Sequence, residues 1–158
     1  MPNSIGAAQR RKHMTWTELV VSVCGTLMTP NLDEHILDIA EYNDVDKEIV
    51  LSVVYQESRC QADAVGSVGE LGMMQIFPRW HMDRIERLEL EVEDLTDPYS
   101  NLLVGVDLLA ELDAETNPYK ALAMYNGGYS PPESSHKYAQ TVMWRANKYK
   151  EMLGNSSI

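Results

Sequence analysis

The chain has 158 residues, a length that fits one domain able to bury about two-thirds of its unfolded surface. Its 44% hydrophobic and 23% charged residues are typical of a globular protein, and no apolar run approaches the ~20 residues that a membrane span requires. The net charge of −11 argues against nucleic acid as a partner, because phosphate would repel an acidic body. We therefore expect a single domain with no integral membrane segment and no nucleic-acid partner.

The N-terminal stretch differs from the well-patterned sequence that follows it. We interpret residues 1–14 as a leader, either a segment added by cloning or a disordered one, and residues 15–158 as the folded domain. The apolar segment at residues 19–28 is interrupted by polar residues and lacks a convincing cleavage site. No export signal is therefore visible.

Helical spacing dominates the first third of the chain. A first helix is predicted for residues 15–29, and a second, capped by Asn31 or Asp33, runs to about Tyr42. A third helix, capped by Asp46, is predicted to end at Glu57 or Ser58. Its apolar stripe consists of Ile49, Val50, Val53 and Val54.

Glu57 recurs at the spacing of this stripe, so the helix points its carboxyl toward the core. Desolvation disfavours the charged form, and a glutamic acid that keeps its proton toward neutral pH can act as a general acid. The glycines at 66, 69 and 72 follow in a loop that lets backbone approach a ligand closely. The sequence thus predicts a helix end that faces a cleft.

The rest of the chain also has helical signals. Residues 73–77 are too short to distinguish helix from strand, residues 80–90 predict a helix, and the acids at 91–94 are interpreted as solvated loop charges. Asp97-Pro98 and Asn117-Pro118 are helix starts, and a closing helix carries Tyr138 to Leu153. We predict an all-α or mainly α domain, with a small hairpin near residues 60–77 as the one alternative to a loop.

Several residues are interpreted as structural. Cys24 and Cys60 are expected to be two buried or free thiols, with a bridge that braces Glu57 as the alternative if the protein works outside the cytoplasm. The histidines share no spacing with carboxylates or cysteines, so neither a metal nor a cofactor is expected. Trp80 is expected in the core rather than stacked on a sugar, and most methionines are expected to fill the core.

Three separated motifs occur in an order and spacing that are specific. They are Glu57-Ser58, Gly72-Met73-Met74-Gln75-Ile76 and Ala123-Met124-Tyr125-Asn126-Gly127. Together they resemble the lytic transglycosylase domain of the soluble type, a lysozyme-like fold of glycoside hydrolase family 23 that cleaves the glycan strands of peptidoglycan. The resemblance covers about residues 32–153, and it includes Asp97-Pro98 followed by Asn101 and Gly105.

The resemblance implies a role for each matching residue. Glu57 matches the catalytic glutamate, which is first general acid and then general base. Ser58, Gly72, Met74 and Gln75 match cleft-lining residues. Tyr125 and Asn126 match the pair that orients the acid and the substrate's acetamido group, and Tyr138 matches a tyrosine near the acid.

The resemblance also implies cleavage between N-acetylmuramic acid and N-acetylglucosamine, with formation of a 1,6-anhydro end. Two carboxylates normally serve a glycosidase, but one suffices if the sugar's own acetamido oxygen attacks the anomeric carbon. Glu70 is a candidate second carboxylate that would make the enzyme a hydrolytic muramidase, although we expect it to be a loop charge. A module that binds glycan without cleaving it is a third hypothesis.

The expected partner is the glycan strand of peptidoglycan, and the expected state is a monomer. The substrate places the enzyme at the cell wall, in the periplasm or outside the cell. A phage-encoded bacteriolytic enzyme such as an endolysin, a component of a secretion apparatus, and a domain of a larger secreted protein all fit this place of action.

Overall fold

The computed structural model describes residues 12–158, and it is built from seven α-helices with three 3₁₀ turns between them. The helices are α1 Trp16–Cys24, α2 Leu32–Tyr42, α3 Lys47–Ser58, α4 Met82–Arg87, α5 Pro98–Glu111, α6 Pro118–Gly127 and α7 Glu133–Met152. The 3₁₀ turns are Gly25–Leu27, Pro78–Trp80 and Val92–Thr96. Among residues 12–158, no helix has both the length and the apolar character to cross a bilayer.

Helix α3 is the centre of the core. It packs against α1, α2 and α7, and every residue from Glu48 to Val54 is buried. The sequence predicted one apolar stripe, whereas the neighbouring helices cover all faces of the middle of α3. A helix enclosed in this way holds its C-terminal turn, and hence Glu57, in a fixed position.

Polar groups buried along α3 are satisfied by α7. The Ser52 hydroxyl donates to the Val142 carbonyl at 2.8 Å. The Glu48 carboxylate pairs with Lys47 Nζ at 3.1 Å and with Lys150 Nζ at 3.8 Å. These contacts fix α7 along α3 because a buried polar group without a partner would cost free energy.

Two helix starts behave as the sequence predicts. The Asp97 carboxylate accepts from the Ser100 amide at 3.0 Å, and the Asn117 side chain accepts from the Lys120 amide at 3.3 Å. Proline at the first position of α5 and of α6 has no amide hydrogen to satisfy.

Other boundaries differ from the prediction. The first helix becomes a 3₁₀ turn after Cys24, because Gly25 takes a φ of 55°. Neither Asn31 nor Asp46 makes a side-chain capping bond. Instead, Asp33 accepts from the Thr17 hydroxyl at 2.6 Å, so it ties α2 to α1.

The region of residues 78–96 is also less regular than predicted. Helix α4 has only six residues, and the acids at 91–94 are not simple loop charges. The Glu91 and Asp94 side chains form a reciprocal capping box around the 3₁₀ turn Val92–Thr96.

The segment at residues 59–77 is a compact loop rather than a helix or a hairpin. Two isolated antiparallel bridges, Val65 with Leu71 and Leu71 with Ile76, are its regular pairings, and residues 12–158 contain no β-strand. The mainly α, lysozyme-like fold class is therefore confirmed, whereas the hairpin is reduced to single bridges.

Cys24 and Cys60 form a disulfide, which corrects the expectation of two thiols. Their Cα atoms lie 5.5 Å apart, a separation typical of a bridge. Cys24 ends α1 and Cys60 follows α3 by two residues, so the bridge joins α1 to the end of the helix that carries Glu57.

Residues 1–11 of the predicted leader lie outside the described residues. Within the rest of that leader, the Met14 amide donates to the Met152 carbonyl at 3.0 Å, and Met14 packs against the core. Thr15 then caps α1 in a capping box with Glu18.

Candidate active site

Glu57 lies in the last turn of α3, partly buried, with its carboxyl oxygen Oε2 accepting a hydrogen bond of 2.7 Å from the Tyr138 hydroxyl. Burial raises the pKa of Glu57 from 4.5 to about 7, against the hydrogen bond from Tyr138, which lowers it, and with the charge of Glu70, which raises it further. The carboxyl thus holds its proton up to neutral pH and can both release and take up a proton there.

Tyr138, not Tyr125, donates a hydrogen bond to the Glu57 carboxyl. Tyr138 lies on the first turns of α7, and burial raises the pKa of its hydroxyl well above 10, with the Glu57 charge adding to the effect. The hydroxyl is therefore a permanent donor at neutral pH. The Tyr125 hydroxyl donates elsewhere, so the role of Tyr125 in orienting the acid stays a prediction.

Tyr125 instead fixes the backbone of the segment that contains Met74. Its hydroxyl donates to the Met74 carbonyl at 2.6 Å, and burial, followed by the Glu57 charge, raises its pKa well above 10. Tyr125 thus lies close enough to Glu57 for the Glu57 charge to raise its pKa, and it also holds the Met74 segment against α6.

The segment from Gly72 to Gln75 is shaped by Asn101 of α5, a fully buried residue that the resemblance includes but to which the sequence interpretation gave no role. The Asn101 amide accepts from the Met74 amide at 2.7 Å and donates to the carbonyls of Leu71 and Leu95, each at 2.8 Å. A side chain on Gly72, which has a φ of 78°, would collide with Asn101, so this position requires glycine. Besides that resemblance, a polar residue on the buried face of a predicted helix is the signal for this role in the sequence.

Several predicted cleft residues present less to a ligand than expected. Met74 and Met73 are fully buried, and Met74 packs on Gly105, so its side chain belongs to the core and does not line a cleft. Gly72 is buried as well. The Ser58 hydroxyl is buried and donates to the Val54 carbonyl of its own helix at 3.0 Å.

Gln75 is partly buried and shapes the loop with its amide. Its Nε2 donates to the Ala64 carbonyl at 3.1 Å and to the Gly72 carbonyl at 3.0 Å, which uses both amide hydrogens. The oxygen Oε1 remains as an acceptor. Gly66 leaves space for it, because a Cβ at that position would lie 2.6 Å from Oε1.

Glu70 lies in the same loop. Its Oε1 accepts from the Val68 amide at 2.9 Å, and its Oε2 would lie 2.6 Å from a Cβ on Gly66, on the same side as Gln75 Oε1. Glu70 is near enough for its charge to raise the pKa of Glu57. The two carboxylates therefore belong to one electrostatic neighbourhood.

A cleft of about 1100 Å³ opens beside this neighbourhood. Its lining includes Tyr125 and Asn126 but neither Glu57 nor Gln75, so Tyr125 is the residue that the cleft and the surroundings of Glu57 share. The helix end that carries Glu57 was predicted to face a cleft, but Glu57 itself does not line this one.

The exposed wall of the cleft carries aromatic side chains. Trp80 is 76% exposed, which contradicts its predicted place in the core, and Tyr129 is 81% exposed. Both line the cleft with Phe77, whose ring centroid lies 6.3 Å from that of Trp80. The 3₁₀ turn after Pro78 directs Trp80 outward, a result that the spacing of apolar residues did not predict.

Asn126 follows Tyr125 in the cleft wall and is exposed. Its Oδ1 accepts from the Ser135 hydroxyl at 2.8 Å, so its Nδ2 is left to donate toward the cleft. Gly127 allows this approach, since a Cβ there would collide with Ser135. Ser135, at the start of α7, is a further positioning residue that the motifs did not reveal.

The model of the transglycosylase SLT domain family matches residues 34–148, most of the chain. The chain belongs to this family. The predicted lytic transglycosylase family is thereby confirmed, and the match spans the helices that carry Glu57, Tyr125 and Tyr138.

A curated relative of this SLT domain is the membrane-bound lytic murein transglycosylase F of Desulfosudis oleivorans. The two are 28% identical over 121 residues, which are 72% of this chain and 25% of the relative. The chain thus spans about a quarter of the length of that relative.

Two solved structures share the fold of the SLT domain. An inactive mutant of the lytic transglycosylase Slt from Pseudomonas aeruginosa matches 97% of this chain and 28% of its own, with a TM-score of 0.71 and 20% identity. The 70-kDa soluble lytic transglycosylase from Escherichia coli matches 79% of this chain and 25% of its own, with a TM-score of 0.71 and 17% identity.

Proposed function

We propose that this SLT domain is a peptidoglycan lytic transglycosylase that uses Glu57 as its acid and then its base. The observation that carries the proposal is the Glu57 carboxyl itself, partly buried at a helix end, bonded to the Tyr138 hydroxyl at 2.7 Å, with its pKa raised to about 7. A group with this pKa is matched to proton transfer in both directions near neutral pH.

In the first step, the protonated Glu57 gives its proton to the glycosidic oxygen, and the bond from that oxygen to the anomeric carbon breaks. The acetamido oxygen of the muramic acid residue bonds to the anomeric carbon, so no second enzymic carboxylate is required. The leaving sugar departs as a neutral alcohol, and Glu57 is left ionised. The Tyr138 hydroxyl stabilises this ionised form by donating to it.

In the second step, the Glu57 carboxylate takes the proton of the sugar's 6-hydroxyl. That oxygen attacks the anomeric carbon and displaces the acetamido oxygen, which closes the 1,6-anhydro ring and restores protonated Glu57. Exclusion of water favours this closure over hydrolysis. The buried side chains around Glu57 support such exclusion, since α3 is enclosed up to Val54.

The groups that would hold the substrate lie in the cleft wall and, in the case of Gln75, in the loop at residues 59–77. The Asn126 Nδ2 is free to donate to an acetamido carbonyl, and the Gln75 Oε1 is free to accept from a sugar hydroxyl. The exposed rings of Trp80 and Tyr129 offer faces for sugar rings. Ser58, Gly72 and Met74 are assigned a supporting role, since they are buried behind these groups.

A hydrolytic muramidase is the second candidate, and the position of Glu70 favours it. The charge of Glu70 reaches Glu57, and a second carboxylate near the acid can direct a water molecule to the anomeric carbon. Against this role, Glu70 Oε1 accepts from the Val68 amide within its own loop.

The disulfide supports a place of action outside a reducing compartment, which agrees with a cell-wall substrate. We propose that the chain acts as a monomer. An endolysin or another phage enzyme with this role would act at the same place.

The masses of the products from purified glycan strands test the proposal. A transglycosylase releases fragments with 1,6-anhydro ends, each one water lighter than the fragment with a reducing end that a muramidase releases. We expect anhydro ends, and we expect Glu57→Gln to lower kcat by about 10²–10⁴-fold.

Glu70→Gln is the matched variant, since it removes one carboxylate from the same neighbourhood. It should preserve the anhydro products. Reducing ends that disappear in Glu70→Gln would assign the chain to the muramidases, and binding of strands without any released fragment would leave a glycan-binding module.

A further inference from the structure

The cleft beside Tyr125 and Asn126 is lined by several charged side chains, although the sugars of a glycan strand are neutral. Three arginines and three carboxylates contribute to it, and its volume of about 1100 Å³ is at the upper end of the range for ligand pockets. The charged residues are Arg79, Arg84, Arg87, Asp83, Asp107 and Glu111.

Two of the arginines are neutralised within the cleft wall. Arg84 pairs with both Asp107 and Glu111, and Arg87 pairs with Asp107 at 2.6 Å. These four residues join α4 to α5. They hold this part of the cleft wall together, and their paired charges leave little net charge for a ligand.

Arg79 and Asp83 remain. Both side chains are exposed, both line the cleft, and neither forms an ion pair within the part of the chain that the structure describes. The cleft therefore presents one free cation and one free anion, four positions apart in sequence.

Peptidoglycan contains a component with matching charges. The sugars of the strand are neutral, whereas the short peptides attached to the lactyl groups of muramic acid carry free carboxylates and free amines. An arginine binds a carboxylate through two parallel hydrogen bonds, and an aspartate binds an ammonium group.

We propose that this cleft binds the peptide stem of the substrate, with Arg79 on a stem carboxylate and Asp83 on a stem amine. The inference rests on the proposed function, and it makes the enzyme selective for strands that carry stems. Asn126 and Tyr125 stand where the cleft meets the surroundings of Glu57, so a stem held in the cleft would hang from the sugar next to the acid.

Binding tests the proposal independently of cleavage. Calorimetry on the Glu57→Gln variant would compare three disaccharide fragments: one with its peptide stem, one with the stem removed by an amidase, and one with the stem carboxylates converted to amides. We expect the first to bind about tenfold or more tightly than the other two, as a charge-assisted hydrogen bond of about 1.5–3 kcal/mol implies.

Arg79→Gln in the same background should lower the affinity for the stem-bearing fragment about tenfold and leave the affinity for the stem-free fragment unchanged. Asp83→Asn should weaken binding only of stems with a free amine. Lys148→Gln removes one cation from α7 outside the cleft and should change neither affinity.

Equal affinity of the unsubstituted cleft for stem-bearing and stem-free fragments would overturn the proposal. So would an equal loss for both fragments in Arg79→Gln, since Arg79 would then bind sugar. Stem-dependent binding in a protein that cleaves no strand would uphold this inference and refute the proposed function, so the two are tested apart.

Discussion

The pair of Glu57 and Tyr138 sets two opposing effects on one carboxyl. Burial disfavours the ionised form of Glu57, and the hydrogen bond from Tyr138 favours it. The resulting pKa of about 7 lies between the higher pKa of a buried acid without a donor and the ordinary pKa of a solvated acid.

Removal of the Tyr138 hydroxyl should move this balance in one direction. In Tyr138→Phe the ionised form of Glu57 loses its donor, so the pKa of Glu57 rises and kcat falls about tenfold. The limb of the pH profile of kcat/KM that reports loss of the Glu57 proton should move to higher pH.

Tyr149→Phe is the control, because Tyr149 is a buried tyrosine on the same helix and makes no hydrogen bond to Glu57. Its pH profile should match that of the wild type. An unmoved limb in Tyr138→Phe would refute the assigned role of Tyr138.

At the scale of elements, the loop at residues 59–77 depends on α5 for its shape. Asn101 is fully buried and satisfies three backbone groups of the loop and of the turn before α5. A side chain from one element thus determines the conformation of another.

Asn101→Ala should leave the Met74 amide and the Leu95 carbonyl without partners, whereas the Leu71 carbonyl keeps the Ile76 amide. We expect it to lower the free energy of unfolding by about 2 kcal/mol or more, since each unsatisfied group costs about 1–3 kcal/mol. Urea unfolding measures the loss, and amide exchange at Met74 should accelerate.

Asp97→Ala provides the comparison, because it removes only the cap of the same helix and should cost about 1 kcal/mol. If Asn101→Ala costs no more than Asp97→Ala, the loop does not depend on Asn101.

The disulfide acts at the same scale, by joining α1 to the end of α3. Cys24 and Cys60 are 36 residues apart in sequence, so reduction should lower the free energy of unfolding by about 3–4 kcal/mol through the larger entropy of the unfolded chain. Urea unfolding with and without reductant measures this change.

The double variant Cys24→Ala, Cys60→Ala should match the reduced protein and should not respond to reductant. An unchanged urea midpoint, once thiol counting has shown complete reduction, would mean that the bridge adds no stability.

How far the sequence predicts these elements depends on whether the signal is local. Asp97-Pro98 and Asn117-Pro118 hold their own capping bonds, so both helix starts are predicted correctly. The loop at residues 59–77 is not, because contacts from elsewhere in the fold hold its shape, namely the disulfide from Cys24 and the hydrogen bonds from Asn101.

In the candidate site, too, local signals are predicted correctly and the results of tertiary packing are not. The three motifs identify Glu57, and its burial follows from the apolar spacing of α3. Which tyrosine reaches the carboxyl is decided by the packing of α7 on α3, and the outward position of Trp80 is decided by the turn after Pro78. Two cysteines alone do not reveal whether they pair.

At the scale of the whole molecule, Glu57 makes stability depend on pH. Its pKa is about 7 in the folded protein and 4.5 in the unfolded chain, so between these values the folded state binds more protons. The contribution of Glu57 to the free energy of unfolding is therefore fully present below about pH 4.5 and is lost as the pH rises to about 7.

Glu57→Gln removes this dependence because an amide does not titrate. At pH 8 the variant should be more stable than the wild type by about 3 kcal/mol, the free energy that corresponds to this pKa difference. Near pH 4 the two proteins should unfold at the same urea concentration. A constant difference at both pH values would instead indicate a change in packing.

The proposed catalysis depends most directly on the proton affinity of the Glu57 carboxyl. Carbon-13 NMR of the carboxyl groups, with Glu57→Gln used to assign the missing resonance, reports the titration of Glu57 in the folded protein. We predict a midpoint at a pH of about 7. A midpoint near the ordinary value of 4.5 would show that Glu57 is ionised at neutral pH and would contradict its role as the acid.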